Sequence, residues 1–238
     1  KLENISIPSE NSLKEFWKSK HLVSIQAGLI LKLVNQKLDE MKLALPNMGA
    51  VDFQTISGAL LTGTQGTGIN KPAFPDLVRS MKVVGTGGEF IQIEPADGMT
   101  DPAKHAQKST IRLIQDDNIF YAAVLSLGGM GIVYEVTMEV TPSFWILEKR
   151  EIYPWSKIRQ QLVSGAFMEK VENTDWVAFR VNPYEIKGDH TCAVVEQRIV
   201  GEQDKPKGWG ATRRNLLTSV LANMEYLIES TIRQMNRR

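Results

Sequence analysis

The residues of this chain whose types and spacing best suit chemistry form one short run, Thr62-Gly63-Thr64-Gln65-Gly66-Thr67-Gly68. Glycines without side chains let backbone N–H groups approach an oxyanion, and the three threonines add hydroxyl donors. Each hydrogen bond to a charged partner contributes about 1.5–3 kcal/mol, and a preceding helix terminus adds roughly 0.3–1 kcal/mol. Several such donors converging on a pyrophosphate outweigh the cost of ordering the loop. The G-x-x-G-x-G order is the reverse of the dinucleotide fingerprint, and no Walker lysine follows, which excludes Rossmann and P-loop sites. On spacing alone, a purely structural glycine turn stands level with the anion-binding reading.

The remaining polar candidates are weaker. His21, His105 and His190 lie far apart in unlike contexts, and surface histidines explain them better than a shared metal, so no metal site is expected. Asp116-Asp117 are adjacent, point apart on any regular element, and read as a solvated helix start. Cys192 falls in an apolar strand pattern as an inert core thiol. Arg180, Asn182 and Tyr184 close another strand pattern and carry polar tips suited to hydroxyl or carboxylate groups, against the plainer reading of a polar strand end.

The elements that must position these residues follow from periodicity. Leu22–Gln26 reads as a strand, and helical spacing from Leu29 through Met41 follows a turn at Ala27-Gly28. Pro46 leaves only a short extended segment around Leu43–Leu45. Thr55 is a candidate N-cap for a short helix leading into the glycine run. Leu77–Val84 and Glu89–Glu94 form a hairpin around Gly85-Thr86-Gly87-Gly88. Pro95–Ser109 is polar, with Pro95, Gly98 and Pro102, and is expected as a surface loop or insertion.

A helix over Phe120–Leu127 ends at Gly128-Gly129. After Gly131, Ile132, Tyr134, Val136, Met138 and Val140 alternate with Val133, Glu135, Thr137 and Glu139 as a half-buried strand. Beyond Pro142 the pattern changes: a strand through Glu151, a helix over about Trp155–Val171, and strands near Trp176–Val181 and Thr191–Val200. Trp145, Trp155 and Trp176 are expected in core packing. A mobile connection over Gly201–Gly210 then precedes an amphipathic stripe from Ala211.

Composition bounds the function. With 28 Lys plus Arg against 27 Asp plus Glu, the net charge of +1 argues against binding nucleic acid through bulk charge. One cysteine excludes an internal disulfide framework and a cysteine-built zinc site. No apolar run is long enough to span a membrane and no signal peptide is visible, which favours a cytoplasmic location.

Taken together, Ala27-Gly28, Leu45-Pro46-Asn47-Met48-Gly49, Gln54–Ala59, Thr62–Gly68 and Ser126–Val133 resemble the FAD-binding domain of vanillyl-alcohol-oxidase-type (PCMH-type) flavoenzymes over about Val23–Pro142. Alditol oxidases and aldonolactone oxidases are the nearest kinds. The resemblance implies an α+β fold: residues 1–142 as the second FAD-binding subdomain, with the first largely absent, and residues 143–238 as part of an α+β substrate-binding cap. It implies FAD as cofactor, with Gly49, Ala50, Thr55, Gly58, Thr62, Gly63, Thr64, Gln65, Gly66 and Gly68 along the flavin and diphosphate. Gly131 and the Val133 backbone would stand at the adenine end, and Arg180, Asn182 and Tyr184 would serve the substrate.

Many relatives have histidine where this chain has Gln65. Gly49 corresponds to a small residue beside the reactive flavin face, which leaves room for dioxygen. The implied activity is oxidation of a CH–OH group of a polyol, sugar or aldonolactone by hydride transfer to flavin, reoxidised by dioxygen or another acceptor. The implied partners are a small-molecule substrate, that acceptor, and either a second copy or the remainder of the enzyme. The competing class is a noncatalytic glycine-rich α+β interaction module.

Overall fold

The computed structural model describes residues 2–201, so the expected linker beyond Gly201, the stripe from Ala211 and Trp209 lie outside the described residues. The fold is α+β. Strands β1 (Ile5–Ser6) and β2 (Leu22–Gln26) flank a short helix α1 (Glu15–Lys18). Helix α2 (Leu31–Glu40), strand β3 (Leu43–Ala44) and helix α3 (Ile56–Leu61) follow, then the hairpin β4 (Val78–Val84) and β5 (Phe90–Glu94). Helix α4 (Pro102–Lys108), strand β6 (Arg112–Gln115), helix α5 (Asp117–Val124) and strand β7 (Ile132–Glu139) complete a six-stranded sheet of order β1-β2-β7-β4-β5-β6. Within this sheet β5 and β6 run parallel and the other neighbours antiparallel.

Helices α2, α3 and α5 pack on one face of this sheet. Leu31, Val34 and Leu38 from α2, Ile56 and Leu60 from α3, and Phe120 and Val124 from α5 share a core with Val23, Ile25, Met81, Val136 and Met138. The α2 residues recur at the i, i+3, i+7 spacing that places them on one stripe. On the other face the strands pair polar groups, including Ser24 with Thr137 (2.8 Å), Lys82 with Glu135 (2.7 Å) and Arg79 with Glu139 (2.9 Å).

The alternation expected in β7 fails at its start. A β-bulge skips Tyr134, so that Lys82 faces Glu135 but Val83 faces Val133. Val133 therefore joins Val136 and Met138 in the core, and Ile132 is left 72% exposed. Entry to the strand needs Gly131, at φ +121°, where a Cβ would lie 2.5 Å from the Val84 carbonyl oxygen.

The stretch expected as a loop over Pro95–Ser109 is instead tied down and partly helical. Asp101 caps α4 by accepting from the Ala103 and Lys104 amides, with Pro102 at the first helical position, where its missing N–H costs nothing. Upstream, Glu94 is wholly buried. One carboxylate oxygen accepts from Gln92 Nε2 (2.8 Å) and the Thr100 hydroxyl, the other from the Thr100 amide (2.9 Å) and Gln115 Nε2 (3.0 Å). Four donors replace the water this charge has lost, and they close the 95–100 segment onto the sheet.

Strand β8 (Thr141–Pro142) pairs with β3. A separate antiparallel sheet of order β10-β11-β9 is built from β9 (Trp145–Pro154), β10 (Trp176–Ile186) and β11 (Asp189–Val200). The helix expected over Trp155–Val171 is two helices, α6 (Trp155–Ser164) and α7 (Met168–Glu172), because Gly165 at φ +79° ends the first with a left-handed cap. They cover one face of the sheet through Ile158, Phe167, Cys192 and Val194, and burial pushes the Cys192 thiol pKa up. Trp176 is buried as expected, whereas Trp145 is 39% exposed. No helix among the described residues is long and apolar enough to cross a membrane.

Replacing Glu94 with alanine leaves buried donors without an acceptor, so the Glu94→Ala protein is expected to lose at least about 1–3 kcal/mol of stability. Urea denaturation followed by far-ultraviolet circular dichroism measures it; an unchanged midpoint would show that the four hydrogen bonds are dispensable.

Candidate functional site

Helix α3 delivers the chain into the glycine run, and the threonines that cap its two ends, Thr55 and Thr62, are already committed. The Thr55 hydroxyl accepts from the Gly58 amide (3.2 Å), capping the helix, and the Thr62 hydroxyl donates back to the Gly58 carbonyl (2.8 Å). The amides of Gly63, at φ +70°, and Thr64 still close on the helix, donating to Leu60 and Ala59. From Gln65 the pattern stops. The amides of Gln65, Gly66, Thr67 and Gly68, and the hydroxyls of Thr64 and Thr67, have no protein partner among the described residues.

A segment that makes so few hydrogen bonds of its own is shaped by what it leans on, and here that is Asn47. A Cβ at Gly66 would run into the Asn47 side-chain amide and lie 2.7 Å from the Met48 carbonyl oxygen. Asn47 is buried; its Nδ2 donates to the Pro72 carbonyl (3.0 Å), and its Oδ1 accepts from Trp176 Nε1 (3.1 Å), the first residue of β10. Trp176 in turn stacks on Phe144 at 5.9 Å. Beside it Lys71 pairs with Asp175 (2.7 Å) and sits 4.9 Å over the Trp176 ring. The other Asp175 oxygen accepts from the Ile199 amide (2.7 Å). Burial raises the Asp175 pKa, but the Ile199 amide and Lys71 outweigh it and leave the carboxyl below its ordinary range.

Two hollows flank this junction and share Asn47, Gln65, Gly66 and Thr67 as a wall. The larger, about 600 Å³, lies between the Asn47–Ala50 strip and the sheet face of β9–β11, with Glu148, Arg150, Arg180 and Gln197 among its polar lining. Arg150 Nε and Gln197 Nε2 both donate to Glu148 at 2.7 Å. The smaller, about 510 Å³, opens between Gly68–Lys71 and helices α6 and α7.

Of the residues expected at the site, Gly49, Ala50, Gln65, Gly66 and Arg180 meet at the larger hollow, and Gly68 lines the smaller. Thr55, Gly58, Thr62, Gly63 and Thr64 lie just before it along α3 and its exit, and Gly131 and Val133 stand at the β7 entrance; none of these lines either hollow. Asn182 and Tyr184 are not brought there either: the Asn182 side chain accepts from the Tyr184 amide (3.0 Å) near the β10–β11 turn. A Cβ at Gly49 would lie 2.6 Å from the Thr64 methyl, so close packing explains that glycine independently of any room for dioxygen.

Sequence reasoning missed Asn47, Lys71 and Asp175 as parts of the junction, and took Trp176 for packing alone. The one signal was Asn47 itself, a polar residue after Pro46 inside an otherwise apolar stretch. Among the described residues, no group of three His, Cys, Asp or Glu side chains is arranged to hold a metal ion.

Residues 5–94 match the model of a family described as an FAD binding domain. The chain is 28% identical over 189 residues to L-gulono-1,4-lactone dehydrogenase of Mycobacterium tuberculosis, covering 79% of this chain and 37% of that protein. It is 30% identical over 152 residues to D-arabinono-1,4-lactone oxidase of Debaryomyces hansenii, covering 64% and 24%. Against mouse L-gulonolactone oxidase it is 25% identical over 181 residues, covering 76% and 37%. The chain thus spans well under half the length of these relatives. Among solved structures, a solvent-stable cholesterol oxidase superposes with a TM-score of 0.60 at 14% identity, covering 84% of this chain and 35% of that one. The cholesterol oxidase of B. sterolicum gives 0.57 at 16% identity, covering 87% and 36%. These likenesses establish the fold.

Because the folded-state pKa of Asp175 is depressed, the pair with Lys71 contributes stability above the ordinary aspartate range and loses it as pH falls through the lowered value. Urea midpoints measured from pH 7 down to pH 3 are expected to fall less steeply for Asp175→Asn than for the parent. Parallel acid limbs would remove Asp175 from the junction's energetics.

Proposed function

We propose that this chain, whose residues 5–94 match the model of an FAD binding domain, is the cofactor-gripping part of an oxidoreductase that takes a hydride from a CH–OH carbon of an aldonolactone, sugar or polyol. The observation that carries this reading is the run of main-chain amides from Gln65 to Gly68 with no protein acceptor among the described residues, where Gln65, Gly66 and Thr67 border a hollow of about 600 Å³ and Gly68 borders the adjoining one of about 510 Å³. Such a run suits a diphosphate, whose charge rewards each donor more than a neutral partner would. Thr64 and Thr67 bring hydroxyls to the same stretch.

When bound, the cofactor supplies the acceptor for the hydride leaving the substrate carbon. The chain's own residues do the rest. The amides of residues 65–68 hold the diphosphate. The Asn47–Ala50 strip and the indole of Trp176 wall the larger hollow against water. Arg180 and Gln197, on the facing sheet, offer donors that orient hydroxyl or carbonyl oxygens of the substrate. The three relatives named above are lactone oxidases or dehydrogenases, and their names support the aldonolactone class within this range. Those names include both oxidases and dehydrogenases, and Gly49 has its own packing reason, so neither favours dioxygen over another acceptor. The division into residues 1–142 for the cofactor and 143–238 for the cap belongs to this proposal, and the change of sheet after β8 supports a boundary near residue 142.

The full-length protein is expected to purify with bound flavin, seen as an absorbance band near about 450 nm. A charged substituent at Gly66 cannot test the loop, because any side chain there strikes Asn47. Gln65→Glu is the cleaner change: nearly the same shape at an exposed position, with one negative charge added beside the diphosphate. It is expected to weaken FAD binding by about tenfold or more, read by fluorescence titration of the apoprotein. Parental affinity in that variant would sink the placement.

A further inference from the structure

The glycine run carries two glycines that a turn does not demand. Neither Gly66 nor Gly68 has a positive φ. Both are glycine because something occupies the space a Cβ would take: the Asn47 amide at Gly66, and at Gly68 the Lys71 Cγ at 2.5 Å and the Trp176 indole at 2.9 Å. The main chain between them makes no hydrogen bond through its amides among the described residues. Its shape is therefore imposed from outside, by Asn47 below and Trp176 beside it, and those two are joined by the indole N–H to amide oxygen bond. Trp176 is itself fixed from the cap side. Asp175 holds β11 through the Ile199 amide and holds Lys71, three residues beyond Gly68, through an ion pair.

We infer that the Trp176–Asn47 hydrogen bond is a latch that positions the Gln65–Gly68 amides, so that Trp176, a residue of the β9–β11 sheet, governs flavin affinity through the loop. This rests on the reading that the loop grips FAD. The indole N–H is already used by Asn47, so its influence on the cofactor passes through the loop, and Trp176 and Asn47 are positioning residues. The two sides of the larger hollow consequently share one register: the strip at Gly49 follows Asn47, and Arg180 follows Trp176 on the same strand.

Trp176→Phe in the full-length protein removes the N–H and keeps an aromatic ring. Two readouts are expected to move: the dissociation constant for FAD rises about fivefold to tenfold, and in the apoprotein proteolytic cleavage between Gln65 and Asn70 becomes faster. Ile158→Val, which loosens the core on the far side of the same sheet, serves as the stability control and is expected to leave FAD affinity within about twofold. Parental affinity and cleavage rate in Trp176→Phe would overturn the latch, and so would an equal loss of affinity in Ile158→Val, since stability alone would then explain both. A wild-type protein that takes up no flavin would overturn the functional reading, while the cleavage arm would still decide whether the loop is held by Trp176.

Discussion

Everything about the site depends on one amide side chain held in place from three directions. Asn47 is buried, donates an amide N–H to the Pro72 carbonyl, accepts the Trp176 N–H, and fills the space beneath Gly66. A buried amide that lost either partner would carry a cost of about 1–3 kcal/mol, so it has little freedom to move. That immobility is passed to a loop with no scaffold of its own. Open amides are useful for holding an anion only if they are preorganised, since donors that must be gathered at the moment of binding forfeit much of what they contribute. The loop stays open toward the hollow because its support comes from side chains behind it.

Much of the architecture could be read in the residue order. The β2–α2 unit, the β4–β5 hairpin with its glycines, the Thr55 cap and the Asp116 helix start all follow from local rules, and all are present as expected. What could not be read depends on partners far away in sequence. The 95–109 stretch reads as a loop because its composition is polar, but two of its polar residues are spent on structure, Thr100 on Glu94 and Asp101 on the α4 cap. The junction of Asn47 with Trp176 spans 129 positions, and no window of periodicity reaches that far. The glycine run itself was legible, and so was its suitability for an anion. The reason two of its glycines are glycines was not, because it lies in the neighbours.

Glu94 illustrates a second way that polar groups order this fold. A buried, uncompensated carboxylate is tolerable only when donors fully replace its hydration. Here the donors come from β5 itself, from Thr100 just ahead of α4, and from Gln115 on β6. One charge thereby gathers three segments and completes the parallel β5–β6 edge, a pairing that needs a crossover connection and has no hairpin to set its register. The apolar core on the helical side would not distinguish this arrangement from a looser one.

The bulge at Tyr134 has a consequence for how chains of this kind can differ in length. Since Tyr134 faces no residue of β4, and the alternation resumes with Val133 turned inward, excising that single residue would produce a regular ladder with Val133 still among the helices. What would disappear is the carbonyl that receives the Ala27 amide and the phenol near Gln26. A one-residue gap at this point in an alignment would therefore be compatible with an unaltered interior, whereas the same gap two residues later, at Val136, would invert the strand.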